Sequence, residues 1–287
     1  MRVRQSTLSE ADKCLRSLQY SLESNTYHGG VVRAIGTAYH AGLEFAYDAR
    51  IATDSAVFPD LTDVIGHACD VFIATSKMAP SHASEFDKVA GNFLWDDKFP
   101  TEVEAMDAID RMLRAYFLHP EAPWPSDWTI LACEQSFHLP LWGGHTKDGS
   151  VDLVLRDPNG FIVGEDHKTA GKKWPSNKHH ARKGAQSPWY LSALMELYPD
   201  APGYRFFYDI MTYGGPRSEP FFERREVTIT PEHVEATEAK ALSVVTLVEG
   251  MKNAGVDLPG NPGSTLCSPK WCDHFSYCPH GAQLDVQ

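Results

Sequence analysis

The chain has 287 residues, 43% of them apolar, enough for one large domain or two small ones with a real core. It carries 26 Lys and Arg against 38 Asp and Glu, a net charge of −12 that excludes a uniformly basic surface. No apolar run approaches a membrane span, and Met1-Arg-Val-Arg-Gln-Ser6 lacks a following hydrophobic signal core, so a soluble cytoplasmic protein is expected.

In chain order, Thr7 to Glu23 is predicted as a helix with Ser9 as its cap, and Gly36 to Ile51 as a second helix with His40 and Glu44 on one face. Ala52 to Pro100 shows no readable pattern. Thr101 to His119 is an amphipathic helix, with Val103, Met106, Ile109, Leu113 and Phe117 at helical spacing, broken by Pro120 to Pro125. Trp128 to Leu141 reads as a strand and contains Glu134. Val151 to Leu155 and Phe161 to Gly164 then form the arms of a hairpin around Asp157-Pro158-Asn159-Gly160, whose proline presets φ and whose Asn-Gly tolerates positive φ. Gln186 to Leu197 is a helix with Pro188 in its first turn, Tyr204 to Tyr213 and Glu219 to Ile229 are strands, and Pro231 to Ala254 is a long helix. Such interleaving points to an α/β fold, a central sheet with helices on both faces.

Four signals follow one another in the middle of the chain: Gly149-x-x-Asp152, Asp166-x-Lys168, a run of bases, and Gln186-x-x-x-Tyr190. Side chains alternate along a strand, so Asp166 and Lys168 share one face and Glu165 points to the other. Asp152 and Asp166 supply the carboxylates with which Mg²⁺ or Mn²⁺ is held for phosphodiester cleavage, and Lys168 would orient the attacking water or offset charge on the phosphate. From Lys168 to Lys183 the chain contains Lys172, Lys173, Lys178, Arg182 and Lys183, with His179 and His180 and no acid, a patch suited to phosphates. Trp174 within this run, and less so Trp189 beyond it, are candidates to stack on a base. Gln186 and Tyr190 lie on one helical face.

These motifs resemble the PD-(D/E)xK nuclease superfamily, and within it the RecB-like exonuclease branch that includes the CRISPR-associated iron–sulfur exonucleases. Gly36-Thr-Ala-Tyr-His40 is similar to the helical histidine motif of that branch, and Cys14, Cys267, Cys272 and Cys278 to its cysteine framework. The resemblance implies a restriction-endonuclease-like core in one nuclease domain over 1–287. Residues 1–127 would be a mostly helical part with the histidine, 128–230 the sheet core and Gln/Tyr helix, and 231–287 the last helix and the cysteines. It implies His40 as a metal ligand with Asp152 and Asp166, favouring Mn²⁺ through its imidazole. Glu134 would be an upstream catalytic acid, and Gln186 and Tyr190 would stand near the DNA.

Six cysteines in a cytoplasmic chain are not read as disulfides. The resemblance implies a [4Fe–4S] cluster held by Cys14, Cys267, Cys272 and Cys278, stapling the two termini together. The spacing Cys267-x4-Cys272 is wider than in related nucleases, and structural Zn²⁺, with His274 or His280 substituting for a thiolate, is the alternative. Cys69 and Cys133 are read as buried apolar residues. The expected activity is a Mg/Mn-dependent exonuclease acting on single-stranded DNA or duplex ends in recombination or repair. The alternatives are a noncatalytic DNA-binding subunit of a recombination or CRISPR-adaptation complex and a structure-specific endonuclease. No phosphate-binding Gly-x-x-x-x-Gly-Lys-Ser/Thr loop is present in the sequence, so unwinding would come from a helicase or recombinase partner.

Overall fold

The turn at Asp157 to Gly160 sets up the sheet. Asp157 Oδ1 accepts from the amides of Asn159 (2.8 Å) and Phe161 (2.9 Å), and Gly160 takes the positive φ of 87° that closes the turn. On either side run β3 (Thr146–Arg156) and β4 (Ile162–Ala170), with an acid on each arm as expected. This is a computed structural model, which describes residues 1–23, 30–77, 95, 97–174, 184–214, 218–268, 272 and 274–282.

Around this hairpin lie β1 (Arg2–Val3), β2 (Thr129–Pro140), β5 (Tyr204–Thr212) and β6 (Phe221–Glu226). Strand β4 pairs parallel with β5, and β5 antiparallel with β6, so the sheet is mixed. One edge of β3 pairs with β2 along its length; the other edge is shared. It meets β4 only from Arg156 to Leu153, opposite Ile162 to Glu165, and meets the short parallel β1 at Thr146 and Lys147. Between these contacts β3 and β4 part, and Asp152 and Asp166 stand at the fork.

Helices cover both faces, as the interleaved pattern predicts. On one side α3 (Val31–Thr53), α4 (Leu61–Lys77) and α5 (Glu102–Phe117) pack Tyr39, Leu43, Tyr47, Phe72, Met112 and Tyr116 over Leu153, Leu155, Val163 and Met211. On the other, α1 (Gln5–Lys13), α2 (Leu15–Glu23), α6 (Gln186–Leu197) and α7 (Pro231–Asn253) bring Leu8, Leu18, Trp189, Leu194 and Val245 against Val154, Ile162 and Phe206. Helix α6 lies close because Gly164 has no side chain: a Cβ there would meet Leu194 at 2.6 Å. A four-residue helix, α8 (Pro279–Ala282), follows the last cysteine.

The structure corrects several expectations. The opening helix is two helices, because Cys14 adopts an extended backbone (φ −166°, ψ 123°), and Arg4 rather than Ser9 stands at its N-cap. Helix α4 lies in the stretch that gave no pattern, although Val64, Ala68 and Phe72 recur at i, i+4 and i+8 and Asp60 accepts from the Thr62 amide at 2.7 Å. Helix α5 buries Ala105, Ala108, Ile109, Met112, Leu113 and Tyr116, whereas Val103 is exposed. The buried stripe is therefore turned toward the small residues, which let α5 approach α3. Strand β1 was not foreseen, since two residues carry no alternation to read. Among the described residues, no helix is long and apolar enough to cross a membrane.

Candidate active site

Where β3 and β4 part, the ladder partner of the His167 amide is missing. Asp152 takes its place: the amide donates to Asp152 Oδ2 at 2.7 Å. From α3, His40 Nδ1 reaches the same oxygen at 3.4 Å. From β2, Glu134 completes a group in which one ligand atom each of His40, Glu134 and Asp152 lies within 4.8 Å of the others. A backbone nitrogen, an imidazole and two carboxylates thus converge from four elements, β4, α3, β2 and β3.

Glu134 has φ +47° in the middle of a strand, the left-handed region that non-glycine residues rarely adopt. The ladder registers Cys133 opposite Leu153 and Gln135 opposite Val151, so Glu134 lies across from Asp152. Its carboxylate accepts from Ser150 Oγ at 2.9 Å. Strained backbone of this kind clusters at functional sites, where the surrounding structure must over-determine it.

On the other side of the fork, Asp166 contacts the Lys168 ammonium and accepts from Gln186 Nε2 at 2.6 Å. Tyr190, one turn further along α6, shares a helical face with Gln186, and its ring packs edge-on against Phe137 at 6.0 Å. Gly149 makes this possible: Phe137 lies directly over it, and a Cβ would meet the ring at 2.4 Å. The first residue of the Gly149-x-x-Asp152 motif therefore admits the ring on which Tyr190 rests. Gln186 bonds Asp166 directly, and Tyr190 is itself 9% exposed.

Burial pushes Asp152 up to about 6, with Glu134 adding to it and His167 and Lys168 opposing. Asp166 is likewise raised by burial to about 6, against the pull of Lys168. His40 is lowered to about 4 by its removal from water and by the neighbouring His167 and Lys168, which keeps the imidazole neutral and able to ligate. Glu44, the i+4 neighbour of His40, is raised by burial and by Glu134. Crowded carboxylates held against ionisation are what a divalent cation would relieve, and a neutral imidazole with carboxylates is a donor set that suits Mn²⁺ or Mg²⁺.

Glu165 points to the opposite face, as alternation requires. It is fully buried, with Trp124 Nε1 donating to it, Arg224 Nη2 at 3.4 Å and His167 Nε2 at 2.7 Å. Glu165, His167 and Asp209 also bring ligand atoms within 4.8 Å of one another, but Arg224 spans Asp209 with bonds of 2.7 and 2.6 Å. Here the guanidinium already supplies the cation.

Of the basic run, Lys172 and Lys173 are exposed beyond the end of β4, and Lys178, Arg182 and Lys183, with His179 and His180, lie outside the described residues. Trp174 is a correction: it is 8% exposed, its ring edge-on to Tyr208 at 6.1 Å, so it packs rather than offering a stacking face. Trp189 is fully buried and donates to the Asp148 carbonyl at 3.3 Å. An exposed aromatic beside this run is Phe221, 45% exposed and overlaid by Lys173 Nζ at 4.7 Å. Sequence reading missed it because one phenylalanine at a strand start carries no signal. It also passed over His167, which alternation would have placed with Glu165.

Cys14, Cys267, Cys272 and Cys278 line a single cavity with Tyr20, Phe275 and His280. The Cys267 and Cys272 thiols are raised by burial and also by the neighbouring thiols, Cys14 among them for both. His274 has both ring nitrogens engaged, Nε2 with Ser21 Oγ at 3.2 Å and Nδ1 with the Tyr277 hydroxyl. Cys69 and Cys133 are only half-buried, a correction, and Cys133 Sγ donates to the Asp152 carbonyl at 3.4 Å.

A solved structure from Eubacterium rectale, provisionally described as an exonuclease, aligns over 98% of this chain and 86% of its own with a TM-score of 0.52. At 10% identity that likeness concerns the fold alone. The structure of SSO0001 covers 96% of this chain and 95% of its own at 12% identity, with a TM-score of 0.32 that is too low to bear on the fold. No curated protein matches this sequence. The family model of the PD-(D/E)XK nuclease superfamily matches residues 4–279, taking in both carboxylates at the fork, Lys168 and all four cavity cysteines, and the chain belongs to that superfamily.

Proposed function

We propose that this protein is a divalent-metal-dependent deoxyribonuclease of the RecB-like kind, an exonuclease acting on single-stranded DNA or duplex ends, working as one domain. The convergence of His40, Glu134 and Asp152 within 4.8 Å, beside the Lys168–Asp166 pair, is the observation that carries this reading. A cation held by His40, Glu134, Asp152 and Asp166 would polarise the phosphoryl oxygen and acidify a water. Lys168 then offers its ammonium to the charge that builds on the phosphate, while Gln186 keeps Asp166 turned to the fork. Lys172 and Lys173 neutralise backbone phosphates of the strand entering the site, and Phe221 beside Lys173 supplies an aromatic face.

The four cavity cysteines fit a metal centre of their own. Both nitrogens of His274 are occupied, so a donor set of four thiolates is favoured over one that includes this histidine. A [4Fe–4S] cluster there would join Cys14, near the start of the chain, to the C-terminal segment as a structural staple.

The deciding experiment incubates the purified protein with end-labelled single- and double-stranded DNA and Mg²⁺ or Mn²⁺. Metal-dependent loss of label as mononucleotides or short oligonucleotides is expected, with Asp152→Ala, Asp166→Ala and Lys168→Ala each inactive and their effects non-additive. Near wild-type cutting by Lys168→Ala would show the site to be assigned wrongly.

A further inference from the structure

His167 occupies the position between Asp166 and Lys168, and its side chain falls on the face where Leu153, Val163 and Met211 form the core. That face also holds Glu165 and Asp209, and all three ionisable residues are at most 2% exposed. Burying three ionisable groups together carries a desolvation cost that apolar residues would not. The arrangement is ordered along a line. His167 stands at one end, its Nδ1 3.8 Å from Asp152 Oδ2, and its Nε2 is 2.7 Å from Glu165 Oε1. Glu165 is fixed in turn by Trp124 and Arg224. Arg224 spans both oxygens of Asp209, donates to the carbonyls of Glu121 (2.8 Å) and Ala122 (2.6 Å), and stacks 3.6 Å from the centroid of Trp124.

Only His167 in this line touches the fork. The amide of His167 grips Asp152 Oδ2, but one bond leaves a carboxylate free to turn. His40 Nδ1, 3.4 Å from the same oxygen, and the His167 imidazole, with Nδ1 at 3.8 Å, flank it, and the two rings pack edge-on at 5.9 Å between centroids.

We propose that His167 is a positioning residue of the metal site, which transmits the rigidity of the buried Glu165–Arg224–Asp209 clamp to Asp152 and so sets the affinity for the divalent cation. The proposal rests on the metal-nuclease reading above. Outer partners of this kind typically change metal affinity 10–100-fold when removed, because the ligand must then be ordered at the expense of binding.

The test is Mn²⁺ uptake by the full chain without DNA, read as loss of the free-ion EPR signal, in wild type and in His167→Phe. Phenylalanine retains the amide bond to Asp152 and the ring volume beside His40 and Tyr116, and removes both ring nitrogens. We expect Mn²⁺ to bind about tenfold or more weakly. Cleavage should return at saturating Mn²⁺, so that the metal requirement rises while the limiting rate changes little, and His167→Gln, which retains a polar group facing Glu165, should lie in between. Should His167→Phe fail to fold, His167→Gln is judged by the same titration. Mn²⁺ affinity within about twofold of wild type in a folded variant would overturn the proposal. Wild-type protein that takes up no Mn²⁺ would overturn the metal reading itself.

Discussion

The main-chain amide of His167 donates to Asp152 Oδ2 at 2.7 Å, where a sheet ladder would otherwise continue. A carboxylate in place of a strand partner explains how a half-buried acid is tolerated at the centre of a sheet. The amide favours the ionised form, yet removal from water outweighs it, so the metal-free fold resists the charge on Asp152.

The pH dependence follows from the sign of that shift. Asp152 is held near 6 against an ordinary value of 3.8, so the folded state binds the proton more tightly than the unfolded chain. In metal-free protein this contribution to stability is full below the unfolded value and is lost as pH rises through about 6. Asp152→Asn keeps an oxygen for the His167 amide and never ionises, so its melting temperature should gain on that of wild type between pH 4 and 7. Mn²⁺ should raise the melting temperature of wild type at pH 7 and leave the variant unmoved. A difference that stays flat across this window would refute the assignment.

Glu134 offers a test of strain against function. Its φ of +47° is open to glycine without penalty, so Glu134→Gly should stabilise the metal-free protein by about 1 kcal/mol, or about 2–4 °C in melting temperature. The same change removes a carboxylate from the group with His40 and Asp152, and cleavage should fall by at least about tenfold. A variant that is both no more stable and fully active would show Glu134 to be an ordinary strand residue.

Much of this site is legible in the residues because the chemistry needs them close in sequence. Asp166 and Lys168 share a face by strand alternation, and Gln186 and Tyr190 by helical spacing, so each pair's proximity could be anticipated. The partners of Asp152 could not be read in this way. His40, Glu134 and the His167 amide reach it only because β3 and β4 separate at Leu153 and Glu165, a break in pairing that no local pattern encodes. Trp174 misled for a related reason: its polar neighbours suggest an exposed loop, yet the ring turns back onto Tyr208. The division of the first helix at Cys14 was equally hidden, since Thr7 to Glu23 contains neither glycine nor proline.

The exposed lysines predict a salt effect. Replacing Lys172 and Lys173 together by Ala removes two phosphate contacts, and the slope of log affinity against log salt for single-stranded DNA should flatten by about 1.4. Adding Phe221→Ala should weaken binding further at every salt concentration without changing the slope, because stacking releases no counterions. An unaltered slope in the double lysine variant would place the strand on another surface.

The last prediction concerns the cysteines. Anaerobically purified protein is expected to be brown, with broad visible absorption that bleaches on reduction and about four irons per chain. Cys14→Ser and Cys272→Ser should each release the iron and lower the melting temperature, because the cluster closes a loop running from Cys14 to the C-terminal segment. Loosening should begin locally. Without metal, α2 still meets the segment before the cysteines through the Arg16 amide to the Pro259 carbonyl (3.1 Å), Arg16 to Asp257 (2.7 Å) and the Leu258 amide to Gln19 Oε1 (2.7 Å). Hydrogen exchange should therefore rise first in the turns around Cys267 and Cys278 while β3 and β4 stay protected. Asp152→Ala should retain its iron, since the fork and the cysteine cavity share no residue. Stoichiometric zinc without iron, or no metal on these thiols under anaerobic preparation, would defeat the cluster and leave the nuclease site standing on its own geometry.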